Sequence, residues 1–175
     1  MKPVSGRIEV LTFKDGLLSK VAHDLLLELR QFHLETDGAR IEGSFALTSL
    51  SVEGAMKGGV LDAHGISESD RLDINANVQK RILRTGDFPD AKFAGEATRG
   101  AGGYSVVGKL TLVGKTQDIT ATARETDGHW RGEAELVPTR WGIQPYKALF
   151  GAIRLQDRSR RRLMSIPAPT PRTQA

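Results

Sequence analysis

Gly103-Tyr104-Ser105-Val106-Val107-Gly108-Lys109-Leu110-Thr111-Leu112-Val113-Gly114-Lys115-Thr116 is the stretch on which the fold class turns. Tyr104, Val106, Leu110 and Leu112 share one parity, with Ser105, Lys109 and Thr111 on the other, the two-residue period of a strand with one apolar face. A glycine turn at about 114 follows, and alternation resumes from Ile119 to Ala123, so the segment predicts a hairpin. Working outward, Phe93 to Ala97 and Trp130 to Leu136 show the same period, set off by glycine-bearing turns at 100–103 and 127–128. Strands recurring at ~8–12-residue spacing predict an all-β sandwich or barrel.

The N-terminal half continues the pattern. Ile8, Val10, Leu11 and Phe13 form an imperfect strand before the Asp15-Gly16 turn signal. Leu25, Leu27 and Leu29 share a face, then Phe32 and Leu34 take the other parity, a slip near Arg30-Gln31 that reads as a β-bulge. Asp37-Gly38 closes the next hairpin, and Ile41, Phe45 and Leu47 should pair back. Residues 67–83 are punctuated as a helix, with Ser67 as N-cap, Glu68 and Asp70 in the first turn, and Lys80, Arg81 and Arg84 at the far end. Ile74, Val78 and Ile82, with Leu72, Ala76 and Leu83 beside them, give it an apolar stripe to lay on the sheet. A last strand is expected from about 151 to 163, and beyond Ile166 the Pro-rich end has no apolar face and reads as a flexible tail.

Composition narrows the function. A chain of 175 residues has the length of one domain, and 19 glycines suit coiled strands and turns. The formal charge of +4 is local. Residues 1–153 carry 19 Lys+Arg against 20 Asp+Glu, whereas residues 154–175 carry six arginines against Asp157 alone. A near-neutral body argues against a duplex-binding face, so nucleic acid is not an expected partner. With no cysteine, disulfides, thiolate nucleophiles and Cys-ligated zinc are excluded. There is no signal-peptide h-region and no ~18-residue apolar run, so the chain reads as cytoplasmic and without a transmembrane segment; a processed periplasmic form would read the same.

Catalytic patterns are weak. His23-Asp24 suggests a base and its orienter, but neighbours in a strand point to opposite faces. His33, His64 and His129 lie in separate segments without metal-ligand spacing, so neither a metal nor a cofactor is expected. Gly114-Lys115-Thr116 imitates a phosphate loop, yet Gly108 is one residue too distant and a strand follows where a helix is required. Arg158-Ser159-Arg160-Arg161-Arg162 reads either as a site for an acidic partner or as a charged, solvated strand edge.

Two segments carry a family resemblance. Leu83-Arg84-Thr85-Gly86-Asp87-Phe88-Pro89-Asp90-Ala91-Lys92-Phe93 is similar to a helix exit leading through an aromatic-acidic turn into a strand, and Gly103 to Thr116 is similar to the hairpin that follows it. Together, over roughly residues 6–165, they resemble the YceI-like family, lipocalin-like barrels associated with polyisoprenoid and other amphiphilic lipid ligands. The resemblance implies an antiparallel lipocalin-like extended β-barrel with one short helix, a domain of residues 1–165 and a tail of 166–175. It implies no enzyme, a lumen holding an isoprenoid or fatty-acyl chain for transport, storage or sensing, and a homodimer. The opening strand is shorter than the family's, which sets a shorter acyl or terpenoid ligand beside a long isoprenoid.

Alternate strand positions face a lumen, so the candidate ligand-binding residues are Phe45, Leu47, Phe93, Tyr104, Val106, Leu110, Leu112 and Trp130, with Ile119 and Leu136 on the same faces. The same parity fits side chains that fill the barrel by packing on each other. Trp141, Tyr146 and Phe150 belong to an aromatic stretch that forms either the rim of the mouth or a plug, and Arg140 and Lys147 beside it could hold an anionic head group. An enzyme built on His23, and a plugged scaffold acting through the arginine cluster, are the competing readings.

Overall fold

The computed structural model describes the backbone of residues 1–14, 24–126, 129–144 and 155–167, with side chains described for these except 13, 14, 126, 129 and 155–167. The strands are β1 (Lys2–Pro3), β2 (Ile8–Lys14), β3 (Asp24–Leu29), β4 (Phe32–Thr36), β5 (Arg40–Ala46), β6 (Leu50–Lys57), β7 (Val60–Asp62), β8 (Asp90–Gly100), β9 (Gly103–Leu112), β10 (Lys115–Thr126), β11 (His129–Leu136) and β12 (Leu155–Pro167). The helix α1 (Glu68–Asn77) falls between β7 and β8. All twelve strands join one sheet in the order β1-β4-β5-β8-β9-β10-β11-β12-β2-β3-β6-β7, and every pairing is antiparallel.

The alternation that predicts the 103–123 hairpin is realised as β9 and β10, with Leu112 opposite Lys115 across a two-residue turn of Val113 and Gly114. Both turn residues are left-handed, at φ 49° and 73°. This is the hairpin geometry that matches strand twist, and it is costly for a β-branched residue. Val113 is buried in the core, and that burial offsets the cost.

The slip at Arg30-Gln31 is a larger event than the bulge expected there. Leu29 ends β3 beside β2 and β6, whereas Phe32 begins β4 beside β5. The partner chain divides at the matching level: β5 ends at Ala46 and β6 starts at Leu50. One long hairpin, β3–β4 against β5–β6, is thus bent and split, its β5 half bonding β8 and its β3 half bonding β2. The two halves belong to opposite ends of the strand order, so this hairpin draws the ends of the curled sheet together. The Ala46 N–H donates to the Gln31 carbonyl at 3.0 Å, and the Gln31 N–H donates to Ser49 Oγ at 2.9 Å. A true bulge lies nearby in β6, where the register shifts between Leu26 and Leu27 of the facing strand.

The helix starts where its cap predicts: Ser67 Oγ accepts the Asp70 N–H at 3.1 Å. A π turn, Val78–Ile82, extends it, and Arg84 closes it at φ 49°. Val78 and Leu83 are buried and Ile74 and Ile82 pack against the core, but Leu72 and Ala76, expected on the apolar stripe, are exposed. A polar stripe at the same four-residue spacing lies against the edge of β6 instead. Arg71 donates to the Val52 and Glu53 carbonyls, each at 2.8 Å, and to the Ala63 carbonyl at 2.9 Å. Asn75 Oδ1 accepts the Val52 N–H at 2.9 Å. Gln79 donates to the Leu47 and Leu50 carbonyls at 3.0 and 2.9 Å. The helix therefore supplies hydrogen bonds that a missing neighbour strand would have made.

β12 runs from Leu155 to Pro167, beginning and ending later than the strand expected near 151–163. It lies between β11 and β2, so the arginine run is not on a sheet edge, contrary to the edge reading. Arg160 stands opposite Glu135, and Arg162 opposite both Glu133 and Glu9. Opposite charges in cross-strand register favour the pairing. The tail from 168 onward lies outside the described residues.

Candidate functional site

The inner face of the sheet changes character along its length. At the end where α1 joins β8, the inward residues are large and buried. Leu110 is 0% exposed, Trp141 1% and Leu47 2%, in one cluster with Phe45, Leu83, Leu112 and Leu136. Trp141 comes from the short 3-10 turn Pro138–Trp141, closed by Gly142 in the left-handed region. Its indole N–H donates to the Leu110 carbonyl at 3.0 Å, so the ring is held by geometry as well as by packing. Phe88, from the helix exit, lies where a Cβ on Gly114 would meet its ring at 2.6 Å. The exit segment and the β9–β10 turn are thereby locked together.

Toward the opposite end, at the β8–β9 and β10–β11 turns, several inward positions are small or aromatic and half-buried, although Val106 and Ala134, both opposite Ala121, are buried. Ala121 and Ala123 keep the parity of Ile119, which packs against the core, and Gly132 on β11 stands opposite Ala123. Tyr104 on β9 and Trp130 on β11 meet edge to face, with ring centroids 4.9 Å apart and planes at 73°. The strand between them places Ala123 opposite Tyr104, and only a small residue there lets the two rings touch over β10. Phe93 is half-buried, and its ring covers Gly95 and Gly108: a Cβ on either would come within 2.6 Å of it. Thr12, which the register through Ser159 sets level with Leu136 at the filled end, shares the inward parity of Ile8 and Val10, and its Oγ1 is buried without a hydrogen-bond partner among the described residues.

The predicted ligand residues therefore divide. Phe45, Leu47, Leu110, Leu112 and Trp141 belong to one buried core cluster. Tyr104 and Trp130 are half-buried near the other end, Phe93 is half-buried opposite Leu110 and packs against the core, and Val106 is buried outside the main cluster. Arg140 is exposed, with its guanidinium 5.6 Å from the centre of the Trp141 ring. Tyr146, Lys147 and Phe150 lie outside the described residues, as does His23. Parity alone located the inward set. The small residues among it carried no signal as a group, because glycine and alanine read from sequence as turn formers or as neutral.

Other chemistry is dispersed. His33 is exposed and 3.1 Å from Glu35. Both rim an open cavity of about 370 Å³ on the outer face of β4, β5, β8 and β9, with Glu42, Ser44, Lys92 and Lys109. Asp118 lies 2.8 Å from Lys109, which holds its carboxyl below the usual range. No group of three potential metal ligands occurs among the described residues, and no helix among them is long and apolar enough to cross a membrane.

Residues 20–158 match the family model described as YceI-like domain. Two solved structures are similar in fold. One is BcnA of Burkholderia cenocepacia, at 13% identity and TM-score 0.61, covering 93% of this chain and 96% of that one. The other is a polyisoprenoid binding domain from Saccharophagus degradans implicated in plant cell wall breakdown, at 9% identity and TM-score 0.57, covering 95% and 98%. No curated protein matches the sequence.

Proposed function

The chain belongs to the YceI-like family, and from that premise we propose that it is a binding protein whose curled sheet holds the apolar chain of an amphiphilic lipid, isoprenoid or acyl, for transport, storage or sensing. The observation that carries this reading is the gradient along the inner face. A sheet interior serving stability alone gains most by filling every inward position with large apolar groups. Here the half toward the β8–β9 and β10–β11 turns carries half-buried Ala121, Ala123 and Gly132 under an aromatic pair. Small inward residues beside aromatic faces leave room for a flexible apolar chain and give it surface to lie on. The fold shared with a domain described as polyisoprenoid binding supports the same class of ligand.

Mass spectrometry of an organic extract of the purified protein, beside native mass spectrometry of the intact chain, tests the reading. A stoichiometric isoprenoid or acyl lipid is the expected result. Ala121→Arg places a charge among the inward positions and is expected to abolish lipid recovery, with a lowered melting temperature because the charge is partly desolvated there. Protein repeatedly recovered empty, which also fails to take up prenyl or acyl probes, overturns it.

A further inference from the structure

We propose that the outer face of β4, β5, β8 and β9 carries a binding site for a small zwitterion that joins an ammonium to a phosphate, the chemistry of a phosphoethanolamine group. The open cavity of about 370 Å³ lies there, within the size range that holds a small molecule. It is on the side turned away from the core, because Phe45, Ala91 and Leu110, next to its lining residues along each strand, are buried on the inner face. The strand register sets two rungs across it. One is His33, Ser44, Lys92 and Thr111, and the other is Glu35, Glu42, Ala94 and Lys109. Ser44 and Ala94 are the short residues in the middle of these rungs, so they form a floor that the longer side chains wall in.

The walls differ in sign. Glu35 and Glu42 stand directly opposite each other across β4 and β5, and like charges in that register cost stability when no cation lies between them. Lys92 and Lys109 are diagonal neighbours on β8 and β9. Each wall has one charge already engaged: Glu35 lies 3.1 Å from His33, and Lys109 lies 2.8 Å from Asp118. Glu42 and Lys92 are left. They are diagonal neighbours across β5 and β8, roughly 7–8 Å apart at the backbone, yet neither makes an ion pair among the described residues. A molecule carrying both charges answers both. Its ammonium supplies the cation missing beside Glu42 and relieves the repulsion from Glu35, while its anion meets Lys92. Ser44 and Thr111 add hydroxyls on the rung of Lys92. Several donors on that side suit a phosphate, which has more oxygens to satisfy than a carboxylate.

NMR titration of the full chain with O-phosphoethanolamine, and with ethanolamine and inorganic phosphate as separate half-ligands, tests this. Amide shifts that saturate and cluster on β4, β5, β8 and β9 are expected. Each half-ligand should bind about tenfold or more weakly, since each lacks one set of charge-assisted hydrogen bonds. Glu42→Gln should weaken phosphoethanolamine about tenfold and inorganic phosphate not at all. The same variant should melt at or above wild type, because a like-charge pair is gone. Lys92→Gln should weaken both ligands. A free small molecule and a lipid headgroup present the same chemistry, and co-sedimentation with phosphatidylcholine vesicles containing phosphatidylethanolamine separates them. Vesicle binding that Glu42→Gln abolishes assigns the site to a headgroup, and binding of O-phosphoethanolamine alone assigns it to a free molecule; either supports the site. Half-ligands that bind as tightly as the whole, Glu42→Gln without effect, or the absence of any saturable shift overturns it. The lipid extract decides the inner-face reading separately, because the two sites occupy opposite faces of the sheet.

Discussion

Gly108 shows how much one missing side chain decides. An added Cβ there would lie 2.5 Å from the Ala94 carbonyl oxygen and 2.6 Å from both the Gly95 Cα and the Phe93 ring. Neighbouring backbone has little freedom to yield, so Gly108→Ala is expected to destabilise by about 1–3 kcal/mol in denaturant melts. At Gly102 nothing lies within 4 Å of the added carbon, and Gly102→Ala should stay within about 0.5 kcal/mol. Asp37 is a second residue with a measurable role. Its Oδ1 accepts the Arg40 and Ala39 N–H groups at 2.8 and 3.0 Å, which holds its carboxyl below the ordinary carboxylate range. The sign follows from that depression: the stabilisation is present above the ordinary value of about 3.9 and is lost as pH falls through the lowered one. An NMR titration of Asp37 should give a midpoint below that ordinary value, and Asp37→Ala should remove this component of acid sensitivity.

Among the elements, α1 carries the clearest lesson. Its cap and its charged ends were legible because capping uses local chemistry between residues three apart. The role of its polar face was not, since Arg71, Asn75 and Gln79 look like an ordinary solvated stripe until β6 is placed beside them. Gln79→Ala leaves the Leu47 and Leu50 carbonyls without that donor and is expected to cost about 1–3 kcal/mol. Ser67→Ala, which removes only the cap, should cost about 1 kcal/mol. Both are read by thermal or urea unfolding. If the Gln79 variant costs no more than an exposed substitution, the helix does not guard that edge.

For the molecule as a whole, the strand order predicts where stability resides. β9 is paired along its length with β8 and β10, whereas β1 and β7 are the ends of the order and span two and three residues. Amide hydrogen exchange should be slowest in β9 and fastest in β1 and β7, approaching global unfolding in the first and local opening in the others. Most strand positions, the 37–38 and 113–114 turns, the helix and its cap, and the parity of the inward residues were determined by the sequence itself, whereas β1, β6 and β7 were not read from it. The features that were read depend on periods of two and about four residues and on contacts between near neighbours, which a linear reading can hold. Tertiary structure alone decided that the 30–31 slip is a split hairpin drawing the sheet's ends together, that β12 sets arginines in register with glutamates of β11 and β2, and that large buried residues from distant segments gather in one cluster of the inner face. Each of these depends on residues far apart in the chain meeting at a common level, and alternation specifies the face a residue takes but not the depth at which it meets another.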